Sequence, residues 1–182
     1  MSSGPAAGVS HEVQRRFLPA IADGKMYFCI GMSEPNSGSD LASIKSKADR
    51  VDGGWVINGS KIWTTFAHRS HMMIALVRTT PKGESRHAGL SQFIIDLSAE
   101  GVKIKPIVDH QGEEHFGEIF FDNVFVSDDM LLGEEGDGWA QVNSELALER
   151  SGPERYLSSY RLFDELLSNL ETDCDDITTA TL

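Results

Sequence analysis

The spacing of apolar residues changes twice along the chain, and each change marks a new kind of element. Over 11–22, Val13, Phe17, Leu18 and Ile21 recur at three- and four-residue steps. That spacing predicts a helix with one apolar side, with Ser10 as its N-cap, Gly24 as its stop and Pro19 inside the span. From 25 to about 132 the pattern shortens to apolar runs broken by Gly, Pro, Asn and Asp. The runs 26–31, 55–57, 61–65, 71–78, 91–97, 102–108 and 118–121 read as strands. Asn58-Gly59 falls between two of them and predicts a hairpin, because both central residues of that turn take positive φ. Asp52-Gly53-Gly54 predicts another turn just ahead. Many strands without an intervening helix predict antiparallel pairing and not βαβ units. The expected class is α+β: an antiparallel β-barrel or sandwich flanked by short helical segments. After Gly133 the helical period returns through Trp139, Val142 and Leu146 to Arg150. Ser151-Gly152-Pro153 predicts a break, followed by a stripe of Tyr156, Tyr160, Phe163, Leu167 and Leu170. That stripe has little helix of its own chain to pack against and needs a partner.

Charge narrows the function classes. The 182 residues carry 28 acidic and 16 basic side chains, a formal charge of −12. Such a chain is a poor match for nucleic acid or an anionic membrane surface, both of which call for clustered cations. No stretch approaches the roughly 18 apolar residues of a membrane-spanning helix. Six carboxylates and no Lys or Arg lie in 162–182, which reads as a solvated helix face and tail. Residues 1–10 carry neither an apolar leader core nor an Arg-rich presequence. Cys29 and Cys174 make no disulfide framework. These features fit the cytosol of a bacterium, with an organelle matrix as the alternative.

Most familiar chemical motifs are missing. There is no P-loop, and the glycines of 133–138 have the wrong order for a dinucleotide fingerprint. His110 and His115 flank Glu113 and Glu114 without metalloprotease spacing, so no metal is expected, and His68 and His71 read as surface or strand-end residues. Two segments stand out. Residues 32–40 read M-S-E-P-N-S-G-S-D directly after an apolar strand, concentrating small and hydroxyl residues where a backbone could approach a polar ligand. Lys61-Ile62-Trp63-Thr64-Thr65 puts a flat ring beside hydroxyls at a strand end. Read singly, the first fits a plain loop and the second a core tryptophan.

Taken together, these segments resemble the acyl-CoA dehydrogenase family. S-E-P-N-S-G-S-D is similar to the flavin-binding T-E-P-x-x-G-S-D signature, and Asn58-Gly59-Ser60-Lys61 with Trp63-Thr64-Thr65 resembles the N-G-x-K and W-I-T that follow it. The resemblance continues through 115–124, H-F-G-E-I-F-F-D-N-V, to the G-x-G-W and L-x-x-E-R features of 136–150. It covers nearly the whole chain in order. Ser33 stands for the usual Thr, Thr64 for Ile, Gly117 for Asn and Ser127 for Pro.

The resemblance implies FAD as cofactor and α,β-desaturation of an acyl-CoA thioester, an oxidoreductase step of the fatty-acid β-oxidation type. Electrons would pass to an electron-transfer flavoprotein and the assembly would be a homo-oligomer. Ser33 would bond the pyrimidine side of the flavin, with Ile30 and Met32 as neighbouring contacts. Ser39 would serve both the FAD pyrophosphate and the acyl-CoA entrance. Trp63 would pack on the flavin and Thr65 would lie near its N5 and O4. Glu149 would be the catalytic base, and Arg150 beside it a substrate contact. The expected domains are 1–25, the last helix of an N-terminal helical domain; 26–134, the middle β-barrel; and 135–182, the first helices of a C-terminal bundle. The chain would then be a piece of the enzyme, inactive by itself. The alternatives are a non-catalytic flavin-binding relative and an acyl-CoA oxidase or flavin monooxygenase on the same scaffold. A carbohydrate- or protein-binding β domain without flavin is more distant.

Overall fold

The computed structural model describes residues 10–83, 85–149 and 152–173. Contacts divide the chain into two compact units, the boundary falling between Val142 and Asn143.

The first unit opens with α1, His11–Ala22. Its N-cap is the expected one: Ser10 Oγ accepts a hydrogen bond from the Val13 amide at 3.3 Å. Gly24, at φ 66°, ends it, with its amide donating to the Ile21 carbonyl at 2.9 Å. Of the predicted apolar side only Val13 and Phe17 are buried, whereas Leu18 and Ile21 stay exposed. Phe17 sets its edge against Phe28 at 5.5 Å, anchoring the helix to the strands.

Eight strands follow: β1 Phe28–Gly31, β2 Lys47–Val51, β3 Gly54–Thr65, β4 Met72–Arg78, β5 Leu90–Asp96, β6 Val102–Ile107, β7 Phe116–Ser127 and β8 Leu131–Leu132. They form one sheet in the order β6-β7-β3-β2-β4-β5-β8, with β1 on β4. The α+β class holds, and most pairs are antiparallel. The sheet is nonetheless mixed, because β1 and β2 both pair parallel with β4, and it does not close, since among the described residues its end strands β6 and β8 do not pair with each other. Trp55, Ile57, Met73, Phe93, Ile95, Ile119 and Val124 form the core of the unit. Trp55 meets Phe93 edge-on at 5.4 Å, and the Arg50 guanidinium covers the Trp55 ring at 4.8 Å.

The expected hairpin at Asn58-Gly59 is not there. β3 runs straight through it, and the chain reverses at Asp52-Gly53, where Val51 pairs with Gly54. Gly53 at φ 73° supplies the turn. Asn58-Gly59 is a bulge instead, since the β3–β7 register shifts between Ile57 and Gly59. Gly59 takes φ 143° with no room for a side chain, as a Cβ would stand 2.6 Å from Ser46 Cα. Asn58 spends its amide group on Asn123, accepting from its backbone N–H at 2.9 Å and donating to its side-chain oxygen at 3.3 Å. A strong hairpin dipeptide is thus used for close approach of two strands.

α2, Gly138–Glu149, begins in the first unit, where a Cβ on Gly138 would fall 2.8 Å from the Leu90 carbonyl. Trp139 stacks on His87 of the β4–β5 loop at 4.1 Å and 16°. The second unit contains the rest of α2 and α3, Glu154–Asp173. On α3, Tyr156, Tyr160, Phe163 and Leu167 of the predicted stripe are all exposed. The side chain of Leu170 and the acidic residues from Glu171 onward lie outside the described side chains, as does Cys174. Among the described residues no helix is long and apolar enough to cross a membrane.

Candidate functional site

The site is built where the end of β1 meets the end of β3. β1 carries Ile30 outward, about half exposed, while Gly31 turns inward. Beyond it Met32 and Ser33 are half-buried. The chain then folds back on itself: the Glu34 and Ser37 amides each donate to the other's carbonyl at 3.0 Å, with Pro35 and Asn36 at the tip. Ser37 is buried against Ser43, hydroxyl to hydroxyl at 2.8 Å. Ser39, predicted at the pyrophosphate, is exposed in the loop that follows. That loop is moored to the β4–β5 loop: Asp40 pairs with Arg86, and Arg78 donates to the carbonyls of Ala42 (3.0 Å) and Ala88 (2.8 Å).

Under the fold-back lies an ion pair that sequence reasoning did not assign. Lys61, fully buried, donates to Glu34 Oε1 at 3.0 Å and to the Met32 carbonyl at 3.0 Å. Glu34 is buried too, and also accepts from the Lys45 amide at 2.7 Å and the Ser46 amide at 2.9 Å. Burial pulls the Lys61 ammonium down to about 8, against the attraction of Glu34. Burial alone would raise the Glu34 carboxyl. Lys61 and the amides outweigh it and hold the group below its ordinary value. The one available signal was a lysine flanked by strand residues, two positions after the Asn58-Gly59 dipeptide. On the outer side of the fold-back, Asn36, Ser37, Lys45, Ser60 and Phe120 help line an open cavity of about 300 Å³.

β3 contributes the other wall. Its amide at Ile62 donates to the Ser33 carbonyl at 2.9 Å, so the two segments lie side by side. Between Lys61 and Thr64 the β3–β7 register slips again, and Trp63 takes φ 60°. A left-handed backbone is a real cost for a bulky residue and is found where structure around it dictates a direction. Here the consequence is that Trp63 is 59% exposed, its ring edge-on to Phe116 at 6.1 Å. The core-tryptophan reading therefore fails for Trp63; the buried indole of this sheet is Trp55. Thr65 is exposed on the same strand end, two residues on. Phe66, also left-handed, packs with His115 and under Arg69, extending an aromatic surface from Trp63 and Phe116. That surface was missed because its parts come from β3, β7 and the turns after them.

The two strand ends thus bring together Ile30, Met32, Ser33, Trp63 and Thr65, with Ser39 further along the loop. Glu149 is the last residue of α2, and its side chain is outside the described ones; Arg150 lies outside the described residues. Among the described residues no group of three or more His, Cys, Asp or Glu could hold a metal ion.

Residues 29–124, more than half of the chain, match the family model described as acyl-CoA dehydrogenase, middle domain. The chain belongs to the acyl-CoA dehydrogenase family. The matched span contains all six predicted flavin contacts and ends before Glu149. Among Mycobacterium tuberculosis relatives, the chain is 47% identical to acyl-CoA dehydrogenase IpdE1, over 75% of this chain and 35% of that protein. It is 41% identical to acyl-CoA dehydrogenase FadE34, over 79% of this chain and 20% of that one. Among solved structures, the Tcur3481-Tcur3483 steroid ACAD superposes with a TM-score of 0.78 at 30% identity, covering 91% of this chain and 43% of that one. The chain therefore spans about a fifth to two fifths of the acyl-CoA dehydrogenases it matches.

Proposed function

We propose that this chain forms the flavin-facing part of an acyl-CoA dehydrogenase that desaturates an acyl-CoA thioester between its α and β carbons. The observation that carries this reading is the joining of Ser33 to the Trp63–Thr65 strand end by the Ile62–Ser33 hydrogen bond, with Trp63 turned outward by its left-handed backbone. An exposed indole flanked by two hydroxyls suits a flat heterocycle with a polar edge, so the residues present fit FAD.

Bound FAD would supply the acceptor for a hydride. The chain's own residues position and polarise. Trp63 offers its ring as a stacking face, and Ile30 and Met32 offer apolar contact beside it. Ser33 and Thr65 donate hydroxyl hydrogens to the heterocycle's edge, where preorganised donors stabilise developing negative charge. Ser39 donates to the pyrophosphate and to the acyl-CoA at its entrance. In the substrate, the α C–H bond breaks with its proton going to a carboxylate, and the β hydrogen leaves with its electron pair. The electron pair of the α C–H bond becomes the new C=C bond. We assign the carboxylate to Glu149, with Arg150 as a substrate contact. The electrons leave to an electron-transfer flavoprotein, and the working enzyme is a homo-oligomer in which this chain is one part of each subunit. Within it, 1–25 ends an N-terminal helical domain, 26–134 is the middle domain and 135–182 begins the C-terminal bundle.

The test is the visible spectrum of the purified chain titrated with FAD. Uptake with a shifted flavin band is expected, and Trp63→Ala should weaken it about tenfold, the loss of roughly one stacking contact. Anaerobic bleaching by an acyl-CoA, read on a longer protein that contains this chain together with a complete C-terminal bundle, separates a dehydrogenase from a non-catalytic relative. No uptake of FAD would sink the reading.

A further inference from the structure

The three residues that follow β1 are each tied to one of two consecutive residues of β3. The Met32 carbonyl accepts from Lys61 Nζ (3.0 Å), the Ser33 carbonyl from the Ile62 amide (2.9 Å), and the Glu34 carboxylate from Lys61 Nζ (3.0 Å). Only one of these ties is a strand-type backbone bond; the other two converge on a single ammonium. The lysine stem reaches that point by passing under Gly31, where a Cβ would stand 3.3 Å from Lys61 Cγ and 2.6 Å from Met73 Sδ. Glu34 in turn holds the returning chain by the amides of Lys45 and Ser46. The residues on either side of this clasp are Ser33 on one segment and Trp63 on the other, and both lie within two residues of Lys61 or Glu34.

We infer that Lys61, held by Glu34, is the positioning residue that sets the Ser33 edge against the Trp63 edge. This inference rests on the flavin reading of the two edges. Lys61 touches neither cofactor nor substrate, since it is fully buried. It acts through the Met32 carbonyl. A carbonyl bonded to a buried cation is fixed in direction more strongly than one in an ordinary loop, because charge-assisted bonds are about twice as strong as neutral ones. The residue next to that carbonyl, Ser33, carries one of the two hydroxyls proposed for the heterocycle's edge. Loss of the clasp should leave the core of the sheet intact and let the β1 end drift from β3, which spoils the distance and angle of the Ser33 hydrogen bond to the heterocycle's edge.

The experiment compares the parent chain with Lys61→Met and with the double variant Glu34→Gln/Lys61→Met. Lys61→Met strands a buried carboxylate and should lower stability. The double variant removes both charges, and such neutral replacements commonly restore stability. FAD affinity, thermal midpoint and hydrogen exchange at the Ile62 amide are read for all three. The expected result is a recovered midpoint in the double variant, with FAD affinity still about tenfold or more below the parent. Exchange at Ile62 without flavin should remain faster than in the parent, while β4 and β5 exchange as in the parent. If affinity and Ile62 exchange return to parent values along with stability, Lys61 is purely structural and the inference is overturned. The same holds if Lys61→Met binds FAD as the parent does. If the parent itself takes up no FAD, the flavin reading fails first and the positioning role falls with it.

Discussion

Thr64 shows how little of a residue's role its chemical type reveals. Its hydroxyl is buried and has no hydrogen-bond partner among the described residues. It sits in the bulge that turns Trp63 outward, opposite Gly117 in register. The sequence reading treated Thr64 as a small departure from isoleucine, which is how it looks without its surroundings. An unpaired buried hydroxyl costs free energy, while its β-branched shape suits the strand. Thr64→Val should therefore stabilise the chain by about 1 kcal/mol, read as a higher urea midpoint at unchanged slope. A lower midpoint would mean that the hydroxyl is bonded. Glu34 gives the opposite case, a polar group over-supplied with partners. Its folded carboxyl titrates below its unfolded value of 4.5. Its contribution is thus fully present above that pH and is lost as pH falls through the lower, folded value. Thermal midpoints between about pH 6 and pH 3 should fall for the parent, and less steeply for Glu34→Gln. Glu34→Gln should already be weaker at neutral pH, by about 3–5 kcal/mol, because Lys61 is left as an uncompensated buried charge.

At the scale of elements, an apolar run made a strand legible and a polar one hid it. β5 is buried at every position but its last, and its continuous apolar run announced it. β2, Lys-Ala-Asp-Arg-Val, buries only Ala48, so it has no pattern to find. Missing β2 also misplaced the hairpin, because the partner of β3's first half was not recognised. Asn58-Gly59 then became the best turn in view, although Gly59 is glycine for want of space and not to reverse the chain. Substitution separates those two uses. At Gly53, where φ is 73° and nothing lies within 4 Å of a Cβ, alanine should cost about 1 kcal/mol of left-handed strain. At Gly59 the collision with Ser46 adds to the strain, and the total should reach about 2–4 kcal/mol. Equal losses in the two urea midpoints would contradict the bulge assignment. The parallel pairing of β1 with β4 was equally illegible. It needs a connection that leaves the sheet edge and returns after two intervening strands, and local spacing carries no trace of it. The site inherits this limit: the motif residues of 32–40 and 61–65 were found separately. Their juxtaposition depends on the Ile62–Ser33 bond and the Lys61–Glu34 pair, which no periodicity encodes.

Over the whole molecule two forces oppose each other. The formal charge of −12 keeps copies apart, while the α3 stripe of Tyr156, Tyr160, Phe163 and Leu167 offers an exposed apolar face. Burying such a face returns about 25 cal/mol per Å² of apolar surface, whereas the repulsion between copies depends on ionic strength. Between about 0.01 M and about 1 M salt the screening length contracts from roughly 30 Å to roughly 3 Å, which removes most of the repulsion and leaves the apolar term. Self-association of the chain should therefore strengthen as salt rises, the reverse of what pairing between opposite charges would give. Sedimentation velocity across that salt range reads the sign directly. Phe163→Glu adds a carboxylate to the middle of the stripe, so it should hold the chain monomeric at salt concentrations where the parent associates. If the variant associates like the parent, the contact lies elsewhere on the surface. The aromatic face formed by Trp63, Phe116 and Phe66 is then the alternative, and saturation with FAD should compete with it.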